Sequence, residues 1–281
     1  MKITKAIIPV AGYGTRRLPI TKALEKCMLP VCNRPIIDYV VEECVLAGIT
    51  DLFFVVSDDF EQLRDYYSRN TQLEEYLTKR GKMEALEDIL KISEQANFHY
   101  IVQDQSGAYG TAVPVWIARD AVEQEEHFVV LMGDDFMFYP NGGNDLKRMM
   151  HAIEEHDTAG AILGVQMDEQ KISLYGSIVT KEESGVELFN GMVEKPEPGR
   201  APSLMANVSN YIFDKKIFPY LDKVLETPNE SGEHYLTDAV NDYTNAGNNM
   251  AVVRSTGTYL DGGNLAGWIE ANNTVFSTLQ K

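Results

Sequence analysis

The side chains that could do chemistry fall into short clusters, and the first is cationic. Gly12-Tyr13-Gly14-Thr15-Arg16-Arg17 follows directly on an apolar run that ends at Val10. Residues 12–34 hold five basic side chains, Arg16, Arg17, Lys22, Lys26 and Arg34, against a single acid, Glu25. The chain of 281 residues carries a formal charge of −17, so this is a positive island in an acidic protein. Backbone N–H groups of a tight glycine turn close on an anion, and an arginine adds bidentate contacts to phosphate oxygens. A bound polyphosphate would use both features; a solvated cationic turn would explain the charges alone. Lys22 and Lys26 would share a face if their segment were helical.

Spacing excludes two kinds of phosphate loop. A dinucleotide fingerprint needs a third glycine where Arg17 stands, and an acid near the end of the second strand, where the chain has Ser57. No Gly-Lys-Ser/Thr follows at the Walker spacing. The second cluster is Leu131-Met132-Gly133-Asp134-Asp135, at the C-terminal end of an apolar run. Ligands of α/β sheets bind at that end, and a carboxylate there can hold Mg²⁺ beside substrate phosphates. A turn or helix cap would also use it. Taken alone, Asp261-Gly262-Gly263 and Glu194-Lys195-Pro196 are ordinary turn sequences. The five histidines show no metal spacing, and no Gly-x-Ser-x-Gly elbow occurs.

The elements that must position these clusters alternate between short apolar runs and helical periodicity, the pattern of an α/β fold. Strands are expected at Lys5–Ala11, Asp51–Ser57, Asn97–Val102, His127–Met132, Gly160–Val165 and Met250–Arg254. Ile36–Leu46 reads as a helix, with Pro35 at its start and Gly48 past its end. Further helices are expected at 58–67, 72–92, 111–122, 144–155, 215–225 and 235–246, with a last one from Leu265. The glycine- and proline-rich stretch 172–213 predicts β-hairpins. No low-complexity linker or internal repeat divides the chain, so one three-layer α/β domain with a β-rich part is the simplest organisation.

Composition narrows the partners. The acidic balance argues against nucleic acid or an anionic membrane as partner, since both need a basic face. Cys27, Cys32 and Cys44 form no C-x-x-C pair and no zinc spacing. Their odd number suits a reducing compartment. No signal pattern and no 18-residue apolar stretch occurs, so a cytoplasmic protein is expected.

Gly-x-Gly-Thr-Arg at 12–16, Leu18-Pro19, and then Thr21-Lys22-Ala23, Lys26 and Met28-Leu29-Pro30 together resemble the signature loop of sugar-1-phosphate nucleotidyltransferases. Within that family the chain is most similar to the uridylyltransferases, and the likeness runs from Lys5 to the final helix. It implies a Rossmann-like nucleotidyltransferase fold: a mixed, mainly parallel central sheet in three layers, with a small β-rich sugar-binding part. Residues 1–135 would be mainly the nucleotide half, 136–263 mainly the sugar-phosphate half, and 264–281 the C-terminal helix.

The implied reaction joins UTP and glucose 1-phosphate into UDP-glucose and pyrophosphate with Mg²⁺. Arg16, Lys26 and Lys195 would be the catalytic cations. Ala11, Gly12, Gly14, Thr15, Gln103 and Gly110 would bind the nucleotide, Gln103 reading the pyrimidine edge. Gly176, Glu194, Lys195 and Glu233 would take the sugar phosphate, and Asp134 and Asp261 the metal. A homo-oligomer, dimer or tetramer, is expected. A thymidylyltransferase using dTTP shares this mechanism and is the nearest alternative. A metal-dependent glycosyltransferase would need no grip on pyrophosphate, and a non-catalytic sensor would be expected to have lost one of these charged groups. The chain departs from the family pattern at Glu25 (usually Pro), Cys27 (usually Glu), Tyr109 (usually Leu), Thr111 (usually His) and Ser209-Asn210 (usually Gly-Arg).

Overall fold

The computed structural model describes residues 2–229 and 232–280. In chain order its elements begin with β1 (Lys5–Pro9), β2 (Pro30–Val31), β3 (Arg34–Pro35), α1 (Ile36–Ala47), β4 (Asp51–Val56), α2 (Glu61–Tyr67), α3 (Thr71–Lys79) and α4 (Met83–Glu94). They continue with β5 (Asn97–Val102), α5 (Ala112–Ile117), α6 (Arg119–Val122), β6 (His127–Val130), β7 (Asp135–Phe138), α7 (Asp145–His156), β8 (Gly160–Gln166), β9 (Gly176–Glu183) and β10 (Val186–Val193). The remainder is β11 (Met205–Asp214), α8 (Phe218–Glu226), α9 (Leu236–Asn245), β12 (Met250–Arg254), β13 (Thr258–Asp261) and α10 (Leu265–Leu279).

Nine strands make one sheet in the order β5-β4-β1-β6-β11-β8-β12-β10-β9. The strands alternate sides as a pleat requires. Ala6 and Ile8 face one apolar core, closed by α1, α7 and α10; Ile7 faces the other, closed by α5, α8 and α9. Three layers result. The sheet is mixed, but the parallel character expected for most of it is confined to β5-β4-β1-β6 and the β8–β12 pair. The other pairings are antiparallel. For β9 and β10 the cause is local: they join through Ser184 and Gly185, both at positive φ, the twist a two-residue hairpin needs.

Two expected helices are broken. The stretch 72–92 is α3 and α4, interrupted at Arg80–Lys82, and 111–122 is α5 and α6, interrupted at Ala118. A two-stranded ribbon outside the main sheet was not expected at all. In it β7 runs antiparallel to β13, with Asp135 opposite Asp261 and Phe138 opposite Thr258. The ribbon therefore sets Asp135 opposite Asp261, with Asp134 immediately before one strand and Gly262-Gly263 immediately after the other.

The far end of the ribbon is fastened by a buried polar chain. The Tyr139 hydroxyl donates to Glu43 Oε1 (3.0 Å) and accepts from the Asp145 amide (3.0 Å). Asp145, fully buried, accepts from Ser255 Oγ (2.7 Å), Thr256 N (3.0 Å), Thr256 Oγ1 (2.8 Å) and Arg148 Nη1 (2.7 Å). These bonds hold Asp145 below the usual carboxylate range against the cost of burial. Glu43 lacks that support, and burial raises its carboxyl to about 7. A carboxyl raised on folding stabilises the fold fully only below its unfolded value, and that contribution is lost as pH climbs through the folded value. Glu43→Gln should therefore gain little at pH 4.5 and on the order of 2–3 kcal/mol above pH 7, read as urea midpoints across that range. A pH-independent difference would contradict the assignment.

Candidate active site

The cationic loop follows β1 directly. Gly14 sits at φ +63 and starts a turn of 3₁₀ helix over Thr15–Arg17. A Cβ there would stand 3.0 Å from Thr21 Cγ2 and 3.1 Å from Lys26 Cβ, so glycine suits both the left-handed backbone and the close approach. Thr21 Oγ1 donates to the Gly14 carbonyl (2.9 Å) and folds the loop back. Residues 15–28 contain three 3₁₀ turns, so the shared helical face of Lys22 and Lys26 does not form. Lys22 is exposed, whereas Lys26 turns inward. Arg16 is exposed and carries no hydrogen bond or ion pair to the other described residues. Arg17 is buried: its guanidinium lies 4.7 Å from the Trp268 ring centroid, its Nε and Nη1 make no hydrogen bond to the other described residues, and burial lowers its pKa.

Glu25 and Cys27, the family departures in this loop, have structural reasons. Glu25 Oε1 accepts from the backbone amides of Gln62 (2.7 Å) and Leu63 (3.2 Å), at the start of α2. Gln62 Oε1 accepts from the Glu25 amide in return (3.0 Å). Phe60 at that helix start offers no capping side chain, so Glu25 caps from a distance and meets the positive end of the helix. Glu25→Ala should cost about 1–2 kcal/mol in a denaturant titration. An unchanged midpoint would remove Glu25 from this role. Cys27 is packed into the core beside Leu29 and Val31, and burial pushes its thiol far up.

Asp134 and Asp261 come together as expected. Lys26 Nζ makes an ion pair with Asp134 Oδ2. The point where a Cβ on Gly263 would stand lies 2.8 Å from Asp261 Oδ1, 3.4 Å from Lys26 Nζ and 3.5 Å from Asp134 Oδ2. Asp261 is held by the Gly263 amide (2.6 Å), Asn264 Nδ2 (2.7 Å) and the Tyr175 hydroxyl (3.2 Å). Asp135 turns aside and accepts from the Tyr259 hydroxyl (2.7 Å); burial and neighbouring Asp134 push its carboxyl up. Hard carboxylate oxygens at one point fit Mg²⁺. No group of three or more His, Cys, Asp or Glu side chains suited to a metal occurs among the described residues, so other ligands would come from phosphates and water.

A cleft of about 310 Å³ opens beside this junction, lined by Ala11, Gly12, Lys26, Gln103, Gly110 and Asp134, and also by Glu233. Gln103 is buried, anchored by its amide to the Val56 carbonyl (2.8 Å). The loop that follows is zipped to residues 234–236. The His234 amide donates to the Tyr109 carbonyl (2.8 Å), and the Ala112 amide donates to the His234 carbonyl (3.0 Å). The Leu236 amide donates to Thr111 Oγ1 (2.9 Å). This pairing carries Glu233, expected among the sugar ligands, to the cleft that holds Gln103.

Gly176, Glu194 and Lys195 form a second group, where β9 starts and β10 ends. A Cβ on Gly176 would stand 3.1 Å from Glu194 Oε2. Burial raises the Glu194 carboxyl, with Asp238 and Glu233 adding to the effect. Lys195, at φ +42, holds its Nζ 4.0 Å from Glu194 Oε1 and 5.9 Å from the Tyr235 ring centroid. Thus Ala11, Gly12, Lys26, Gln103, Gly110, Asp134 and Glu233 share one cleft, with Asp261 beside it. Thr15 lies in an adjoining groove that also contains Gly12 and Lys26. Tyr175 and Asn264 were missed as supports of Asp261; Tyr175 stands beside Gly176 in sequence, but nothing there signals its partner.

Comparison with known proteins follows the same line. A family model described as nucleotidyl transferase matches residues 5–278. A UTP–glucose-1-phosphate uridylyltransferase of Bacillus subtilis is 40% identical over 242 residues, 85% of this chain and 80% of that protein. A putative enzyme of the same name from Methanocaldococcus jannaschii is 36% identical over 96% of this chain and 92% of its own. Among solved structures, an apo UDP-glucose pyrophosphorylase superposes with a TM-score of 0.88 at 30% identity, covering 98% of this chain and 99% of that one. A UTP-bound UGPase from Acinetobacter baumannii gives 0.86 at 31% identity over 98% and 93%. The chain belongs to the nucleotidyl transferase family.

Proposed function

We propose that the protein is a uridylyltransferase that makes UDP-glucose and pyrophosphate from UTP and glucose 1-phosphate. The observation that carries this reading is the meeting of Lys26, Asp134 and Asp261, from three distant parts of the chain, beside a cleft lined by Gln103 and the glycine loop. The named relatives support the choice of substrates.

A phosphate oxygen of the sugar phosphate attacks the α-phosphorus of UTP; a new P–O bond forms as the bond to the β-phosphate breaks, and that electron pair leaves with pyrophosphate. The nucleophile is already an anion, so no general base is required. The task is positioning two polyanions and offsetting their charge. Arg16 and Lys26 hold the triphosphate, with the amides of Ala11, Gly12, Gly14 and Thr15 around it. Lys195 orients the attacking phosphate, while Gly176, Glu194 and Glu233 serve the sugar. Asp134 and Asp261 would hold Mg²⁺, which when bound neutralises phosphate charge. Lys26 must then move its charge from Asp134 to the nucleotide. Residues 1–135 mainly serve the nucleotide and 136–263 the sugar phosphate.

The test mixes pure protein, Mg²⁺, glucose 1-phosphate and one nucleoside triphosphate at a time, and measures pyrophosphate. UTP should react fastest, and EDTA should stop the reaction. Faster release with dTTP would favour the thymidylyltransferase; no release with any triphosphate would end the enzyme reading. No helix among the described residues is long and apolar enough to cross a membrane. The three unpaired cysteines suit the cytoplasm. Self-association fits α10, which exposes Leu265, Ile269, Phe276 and Leu279 in one stripe. Light scattering at the mass of a single chain would exclude it.

A further inference from the structure

Tyr109, on the rim of the cleft, is unused by the reaction as written. The residue is 65% exposed, yet it lines the same cleft as Gln103, Gly110 and Pro114. Among the described residues neither its ring nor its hydroxyl has a partner. Its backbone, by contrast, is fixed. The Tyr109 carbonyl accepts from the His234 amide (2.8 Å), and Gly110 is wedged against the His234 backbone. A free ring on a rigid backbone is a platform that loses little entropy on contact, since tyrosine has only two side-chain torsions.

The neighbouring Gln103 supplies what such a platform lacks. Its side-chain carboxamide, on a buried residue that lines the cleft, makes no hydrogen bond to the other described residues and offers a donor and an acceptor. A nucleobase site needs a group for the edge of the base and a surface for its face; every base has a π-face, so stacking is tolerant of base identity. We propose that Tyr109 stacks on the pyrimidine of the bound nucleotide, supplying affinity common to pyrimidines, while Gln103 discriminates among them. This rests on the nucleotidyl-transfer reading above. It also gives the Leu-to-Tyr departure at this position a purpose: more contact area on the base than an aliphatic side chain offers.

The experiment is calorimetric titration of wild type, Tyr109→Leu and Tyr109→Phe with UTP, dTTP, CTP and inorganic tripolyphosphate, which has no base. Tyr109→Leu should weaken UTP, dTTP and CTP alike, by about tenfold, and leave tripolyphosphate unchanged. Tyr109→Phe should bind all four within twofold of wild type. In turnover, Tyr109→Leu should raise KM for UTP with kcat unchanged. Wild-type affinity for UTP in Tyr109→Leu overturns the stacking role. So does an equal loss for tripolyphosphate, which would mean a disturbed cleft, or a loss in Tyr109→Phe as large as in Tyr109→Leu, which would assign the hydroxyl. Wild type that neither binds a nucleoside triphosphate nor releases pyrophosphate overturns the nucleotidyl-transfer reading itself. Active wild type with an unaffected Tyr109→Leu overturns only the stacking.

Discussion

Lys195→Ala should lower kcat about 10²–10³-fold while leaving the melting temperature within about 1 °C of wild type. The split between activity and stability follows from where the side chain stands. It is 59% exposed, and its ammonium makes only a long 4.0 Å approach to Glu194, so its removal opens no cavity and strands no buried charge. The positive φ at this position is borne equally by alanine, which keeps the Cβ. What disappears is a point charge beside the proposed sugar phosphate, where two anions must be brought together. The affinity for UTP alone, measured by calorimetry, should not change, because Lys195 does not line the Gln103 cleft. An active Lys195→Ala enzyme would remove this residue from the mechanism.

The second large effect is expected at Gly110, through structure rather than charge. A Cβ built there would fall 2.3 Å from the His234 carbonyl oxygen and 2.5 Å from its nitrogen. Both atoms are backbone, so no rotamer change relieves the overlap, and φ is +133. Strain and broken pairing together should make Gly110→Ala lose about 3 kcal/mol or more. The amides of Ala112 and His234, which tie the two segments, should lose hydrogen-exchange protection first. Gly12 is the control: a Cβ there meets nothing within 4 Å, so Gly12→Ala should keep the wild-type denaturation midpoint. A wild-type midpoint in Gly110→Ala would refute the argument.

Sequence signals are most legible where they act over a short range. Local chemistry was legible: α1 starts and ends within a residue of its Pro35 and Gly48 signals, because both act within one turn of the helix. Asp134 and Asp261 were matched to one another through family resemblance, and the structure brings them to one point. The ribbon that does so was not foreseen. Its strands are four residues each, too short for periodicity to register, and they pair across at least 120 positions. Glu25 was opaque for a related reason: the helix it caps begins at Glu61, so no neighbouring residue hints at its function. The Lys22–Lys26 face failed because 3₁₀ turns replaced the α-helix on which that spacing depends.

The placement of β11 bears on how the molecule comes apart. This ten-residue strand pairs with β6 from the first half of the chain and with β8 and β9 from the second. It is a seam stitched from both sides, so loosening either half tears the other, and unfolding should be a single cooperative event. A fragment ending at residue 135 would strip β11 from β6 and leave a bare, apolar hydrogen-bonding edge, a template for aggregation. The two stretches on either side of residue 135 thus belong to one folding unit and are not parts that could be exchanged between proteins by cutting at that boundary.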